Sequence, residues 1–368
     1  MKRYILRMLL FSLPVMLICV PSLAILYIAG ELDGEKDYVT PLDEEQLIGL
    51  AYTDIREAYK YKMTDSILRP DIIALGSSRI MQVKRAFFNE DYSFYNAGGA
   101  INNIFQFQHF LESLHYTPKM LLINIDQFYF NPDYQNQATT FRTDAYQFPK
   151  HDLPMVVSTF LEDLWKGKVE FRKVLHNEKR HIGLNAIINE NGYAQDGTHL
   201  EKNLINNPNG EDYNFKDTYS RIEQGNRRFE YREHADSSLS IVINRFLSEC
   251  EKRKIIVIAL IPPFAPAVYK KMTDTGKYTY MQEVYGIMEP CFTRRQDCYL
   301  FDFTDITAMG AHNYDFIDGF HGSEVIYNML IRKIIKDVPL LQRFFKGEDE
   351  LLRMEKSYNM RHIRYHSI

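Results

Sequence analysis

Asp71-Ile72-Ile73-Ala74-Leu75-Gly76-Ser77-Ser78-Arg79 is the stretch that decides the fold. A strand buried on one face alternates apolar and polar residues, whereas one buried on both faces reads as an unbroken apolar run. Residues 71–75 are of the second kind, and Gly76 stops them. Working outward, the same reading applies to Tyr92-Ser93-Phe94-Tyr95-Asn96, stopped by Gly98-Gly99. It applies again to Met120-Leu121-Leu122-Ile123-Asn124-Ile125, to Ile255-Ile256-Val257-Ile258-Ala259-Leu260-Ile261 before Pro262-Pro263, and to Cys298-Tyr299-Leu300-Phe301-Asp302.

Helical spacing separates these runs, at 104–114, 239–250, 280–288 and 323–336. Strands buried on both faces and alternating with helices predict an α/β protein with a parallel sheet of about five strands, doubly wound. Between residues 132 and 236 the alternation breaks, and Asn, Asp, Gly, Tyr and charged residues dominate. That segment reads as a large insert in a domain spanning 69–336. Residues 31–68 read as a polar, helix-prone stalk, and 337–368 as a basic tail, with Arg353, Lys356, Arg361 and Arg364 set among apolar residues.

The chain has 368 residues, 45% hydrophobic and 25% charged, with a formal net charge of -4. This composition excludes a disordered or collagen-like chain. The absence of a basic excess argues against nucleic acid as a partner. Four cysteines are too few for a disulfide framework. Cys291 and Cys298 leave two readings open, a small disulfide loop or buried thiols.

Lys2, Arg3 and Arg7 precede an uncharged run from Met8 to Gly30, which a helix would stretch over about 34 Å. That suffices for a bilayer core of about 30 Å. The run is long for a cleaved signal peptide, and Ile18 before Cys19 is too bulky for a lipoprotein signal. Residues 1–30 therefore read as one N-terminal transmembrane anchor. The cations ahead of it place the N-terminus inside and the body of the chain outside the cytoplasmic membrane.

Ligand and catalytic sites in doubly wound folds lie at the carboxyl ends of the strands. Four segments fall there: Gly76-Ser77-Ser78-Arg79, Asn96-Ala97-Gly98-Gly99, Asp126-Gln127 and Asp318-Gly319-Phe320-His321. A serine hydroxyl becomes a nucleophile when a neighbouring base takes its proton. His321 is the candidate base, and Asp318 the carboxylate that orients it. Developing negative charge on the acyl oxygen requires fixed donors. The backbone N–H groups of Ser78 and Gly98 and the Gln127 amide are the candidates. Arg79, Asn96 and Gly99 are candidate substrate-binding residues, although Arg79 also suits a pairing with a core carboxylate. A second Asp-x-x-His, Asp196/His199, lies within the insert and reads as a solvated turn.

The order and placement of these residues resemble the SGNH, or GDSL-like, hydrolase superfamily over about 69–131 and 237–336. Ser78 matches the family's nucleophile block, Asn96-Ala97-Gly98 its Asn-x-Gly block, and Asp318/His321 its last block. The chain departs from the family at Ser77, where an aspartate is usual, and at Asp126, where an amide donor is usual; Gln127 is the nearest substitute. The resemblance implies a flavodoxin-like sheet. The Gly-Ser-Ser form behind an anchor resembles a membrane-anchored subgroup acting on bacterial surface polymers, which includes D-alanyl-transfer and polysaccharide acyltransferase proteins. It implies a serine acyltransferase acting on polymer hydroxyls, with a membrane-bound O-acyltransferase as partner.

A carbohydrate esterase with the same triad and a non-catalytic polymer-binding module are the alternatives. The sequence calls for no cofactor or metal. It holds no G-x-S-x-G, G-x-G-x-x-G, Walker or H-E-x-x-H motif, and His176/His181 read as part of a solvated charged helix.

Overall fold

Seven strands run through the parts of the chain that the computed structural model describes, residues 2–134, 146–201 and 212–356. They are β1 Ile72–Gly76, β2 Phe94–Gly98, β3 Met120–Asn124, β4 Asn191–Tyr193, β5 His199–Glu201, β6 Ile256–Ile261 and β7 Cys298–Asp302. Five form one sheet in the order β2-β1-β3-β6-β7, and every neighbouring pair is parallel. Ile72 stands beside Phe94 on one side and Met120 on the other. Met120 pairs with Ile256, and Val257 with Cys298.

All residues of β1, β2 and β3 are buried, as unbroken apolar strands require. The covering helices present apolar stripes at helical spacing: in Leu239–Lys252 the buried residues are Leu239, Ile243, Phe246, Leu247 and Cys250. Ser323 caps the last helix, Glu324–Asp337, its Oγ accepting from the Val325 amide at 3.2 Å. The chain leaves β1 toward β2 and returns on the other side of β1 as β3. This strand order is compatible with a flavodoxin-like fold and puts the topological switch point at the carboxyl ends of β1 and β3.

The chain divides into two compact units. One comprises residues 1–55, 147–195 and 199–203; the other, carrying the large sheet, comprises 56–146, 196–198 and 204–368. Residues 31–68, expected as a stalk, are thus shared between the units, as is the expected insert 132–236. In the smaller unit Leu26 and Ala29 are buried with Val156, Phe160, Val174, Leu184 and Ile187. Ile48 bridges both Ile182 and Tyr193, and Glu31 Oε1 accepts from the amides of Ala51 and Leu184 at 2.9 and 2.6 Å. The sparse apolar residues of this stretch are enough for a small core because they meet others far along the chain.

The N-terminal run is helical from Lys2 to Ile28. Among the described residues no helix is long and apolar enough to cross a membrane. Cys19, Cys250, Cys291 and Cys298 are all free thiols, so the reading of Cys291 and Cys298 without a disulfide is the one observed. Of the tail residues, Arg361 and Arg364 lie outside the described residues.

Candidate active site

The site begins where β1 ends. A Cβ on Gly76 would stand 1.7 Å from Asn124 Oδ1, so only glycine lets the two strand ends approach this closely. Asn124 closes β3 and grips the next residue twice: its Oδ1 accepts from the Ser77 amide at 3.1 Å and its Nδ2 donates to Ser77 Oγ at 3.1 Å. Ser77 Oγ also accepts from the Arg79 amide at 3.2 Å, capping the short 3-10 turn Ser78–Ile80. Ser78 is thereby presented half-exposed as the first residue of a helical turn. The amide of such a residue has no partner within its own turn.

Ser78 Oγ meets His321 Nε2 at 2.8 Å. His321 Nδ1 meets Asp318 Oδ2 at 2.6 Å. The other carboxylate oxygen accepts from the amides of Phe320 and His321 at 2.9 and 2.7 Å. Burial alone would raise the Asp318 carboxyl, but the imidazole's charge and hydrogen bond, with the two amides, outweigh it and hold the group at about 2. An ionised carboxylate only accepts, so the imidazole proton sits on Nδ1 and Nε2 is free to accept from the serine hydroxyl. Three residues separated by up to 243 positions thus form one hydrogen-bonded line.

The remaining expected site residues are placed differently. Arg79 is 1% exposed, and all five of its guanidinium N–H groups are used. Nε donates to Phe320 O at 3.0 Å, Nη1 to Asp126 Oδ1 and Gln127 Oε1 at 3.1 and 2.8 Å, and Nη2 to Pro262 O and Pro263 O at 3.0 and 2.6 Å. Its plane lies 4.5 Å from the Phe264 ring centroid. Of the two roles the sequence offered Arg79, substrate contact is excluded by this saturation and the core pairing with Asp126 is the one found. Tyr327 Oη donates to Arg79 O, fastening the same turn from the last helix.

Gln127 is fully buried, with its amide nitrogen donating to Pro262 O and Thr304 Oγ1 at 2.8 and 3.0 Å. It therefore has no N–H left for an acyl oxygen. The Gly98 amide donates to Asn96 Oδ1 at 2.7 Å and is likewise committed. Of the three expected oxyanion donors, the Ser78 amide alone has no acceptor among the described residues. Asn96 is fully buried and spends its Nδ2 on Ile80 O and Val83 O at 2.9 and 2.8 Å, holding the segment after Ser78 rather than facing substrate. Gly99, with φ at +86°, lies beneath Met81 and Arg56, whose side chains a Cβ would strike at 2.3 and 2.6 Å. Its amide donates to Gly76 O at 2.8 Å.

Asp196 is no solvated turn. Its carbonyl accepts from the Asn96 amide at 2.8 Å, its Oδ2 from the Arg85 amide at 2.8 Å, and its Oδ1 from Thr198. It lies along the outer edge of β2. Lys60 secures the same segment: its fully buried amine donates to Asn96 O at 2.8 Å and to Gly197 O. Burial pushes this amine well down. His199 instead meets Glu201 Oε1 at 2.9 Å, and His181 Nδ1 accepts from the Leu47 amide at 3.0 Å.

Sequence reasoning missed Asn124 and Lys60 as organisers of the site. The signal for Asn124 was one polar residue inside an apolar strand. Lys60 gave no signal, since lysine is almost never fully buried.

No protein-family model matches the chain, and no curated protein sequence matches it.

Proposed function

We propose that this chain is a serine acyltransferase of SGNH type that modifies hydroxyl groups of a bacterial surface polymer. The observation that carries the reading is the continuous line from Ser78 Oγ through His321 to Asp318, at 2.8 and 2.6 Å. Ser78 Oγ attacks the carbonyl carbon of an acyl donor while its proton passes to His321 Nε2. The oxygen that gains negative charge accepts from the Ser78 amide. Collapse of the tetrahedral intermediate breaks the bond to the donor's leaving group, which departs with the proton from His321. The Ser78 ester remains. A polymer hydroxyl, deprotonated by the same imidazole, then attacks that ester, and Ser78 recovers its proton. Asp318 stays ionised throughout and stabilises the imidazolium.

The hydrolytic version, a carbohydrate esterase, differs only in taking water at the second step. An N-terminal anchor, an extracytoplasmic catalytic unit and a membrane-bound O-acyltransferase as acyl supplier belong to the same proposal. Support for the anchor comes from Lys2, Arg3 and Arg7 ahead of the uncharged run, and from exposed apolar side chains such as Leu17 (66%) and Val20 (55%) on its helix.

One observation favours a rival, the non-catalytic polymer-binding module: Gly98 and Gln127 are both committed elsewhere, leaving a single expected donor for the oxyanion. A fluorophosphonate probe, which reacts with activated serines, decides between the two. Labelling of the wild type that disappears in Ser78→Ala is the expected result. An unlabelled wild type overturns the catalytic reading and leaves the binding module.

A further inference from the structure

The arginines around the triad differ in what occupies them. Arg79 is saturated, as described above. Arg221 and Arg227 share the carboxylate of Asp217, with Arg221 Nε on Oδ2 at 2.7 Å and Arg227 Nη2 on Oδ1 at 2.6 Å. The Arg228 guanidinium has no hydrogen bond or ion pair among the described residues. It is half-buried and rests 5.9 Å from the centroid of the Phe320 ring, which in turn lies 4.3 Å from the His321 ring. A cation partly withdrawn from water and without a counter-charge is costly, and an incoming anion would offset that cost.

The backbone that delivers Arg228 is strained. Arg227 and Arg228 occupy consecutive left-handed conformations, with φ of 50° and 85°, which residues other than glycine adopt only at a cost. Phe229 anchors this turn from inside: it is fully buried and packs against Phe128, Phe264 and Phe320. With Phe229 fixed, the neighbouring guanidinium lies over Phe320, the residue directly before His321. Among the described residues no carboxylate of the region pairs with the Arg228 guanidinium, although the buried Glu230 Oε2 has no hydrogen-bond partner. Asp212 takes Thr218 and the Gly319 amide, Asp318 holds His321, and Glu230 Oε1 accepts the backbone amide of Arg228 itself at 3.2 Å.

We propose that Arg228 is a specificity residue that binds an anionic group, a carboxylate or a phosphate, on the polymer presented to Ser78. A planar guanidinium stacked on a ring offers paired donors suited to either anion. The inference rests on the acyl-transfer reading for its placement in a reaction, but binding can be measured without turnover.

The test is equilibrium binding of the full chain to an oligogalacturonate, a glycerol-phosphate oligomer and a neutral cello-oligosaccharide at low salt. At least one anionic oligomer should bind about tenfold or more tightly than the neutral one. Arg228→Gly should reduce that affinity to the neutral level, and Arg228→Lys should retain part of it. Glycine adopts φ of 85° without strain, so Arg228→Gly should melt at or above the wild-type temperature, separating lost recognition from lost folding. Equal affinity for all three oligomers overturns the proposal, as does wild-type binding by Arg228→Gly or a melt well below wild type. Failure of fluorophosphonate labelling in the wild type would remove the acyl-transfer reading and leave the anion-binding result standing.

Discussion

The chain contains Asp-x-x-His twice, and the two copies have different fates. In Asp318/His321 the carboxylate folds back on its own histidine and the ring's other nitrogen reaches a serine hydroxyl. In Asp196/His199 the carboxylate turns to the Arg85 amide and Thr198, while the histidine meets Glu201. Four-residue patterns of this kind line up with a distant partner only where the backbone around them is fixed by something else. Here that is the Arg79 hub, which donates to the carbonyl of Phe320 directly ahead of His321, and the Ser323 cap two residues after it. The Asp196 copy has an equally firm hold, but on the rim of an edge strand with no serine in line.

The sharpest way to break the comparison is Asp318→Asn. An asparagine cannot fix the same imidazole tautomer, so ester turnover or fluorophosphonate labelling should slow by about 10³–10⁴-fold. The matching change, Asp196→Asn, should leave that rate within about twofold. A large loss in the second variant would mean the two motifs are coupled.

Next in size is Arg79→Met. It strands the buried Asp126 carboxylate and three other acceptors, Pro262 O keeping its bond from Gln127, and should cost about 3–5 kcal/mol in denaturant unfolding. Its labelling rate should fall too, because the Ser78 turn and the His321 loop lose their shared fastener. Undiminished labelling in folded protein would show that the triad is held without Arg79.

The smallest effect concerns pH. The Asp318 carboxyl is held at about 2, below its ordinary 3.8, so its ionised form stabilises the fold fully above about pH 4. That contribution, about 2 kcal/mol, should be lost as the pH falls from about 4 through about 2. Asp196→Ala, by contrast, loses neutral-donor hydrogen bonds worth about 1 kcal/mol each. The stability gap between wild type and Asp318→Asn should be smaller at pH 2.5 than at pH 6 by about 1–2 kcal/mol. A constant gap would refute the assignment of the ionised state.

The parallel sheet was legible because Ile72 to Leu75, Leu121 to Ile123 and Val257 to Ile261 lack the alternation of a one-faced strand. The site was partly legible for the same reason: Ser78 and His321 follow strand ends, and strand ends of such sheets converge. Which polar groups would be free was not legible. Asn96, Gly98, Arg79 and Gln127 all sit at the right rim, yet each is consumed by a neighbour's carbonyl or amide, because a buried polar atom without a partner costs about 1–3 kcal/mol. Arg228, the guanidinium left over, lies in a segment that looked featureless, and its left-handed turn appears in no local pattern.

The sequence by itself determined the sheet class, the ends of its strands and the identity of a serine, a histidine and an aspartate that could meet there, since burial on both faces and the punctuation of glycine and proline are local properties. It did not determine that residues 31–55 would share a core with 147–195, nor that one Asp-x-x-His would align with Ser78 while the other sealed an edge. Those outcomes depend on hydrogen bonds and packing between residues more than a hundred positions apart. Such partners are chosen only when the folded chain brings each buried donor to its nearest acceptor.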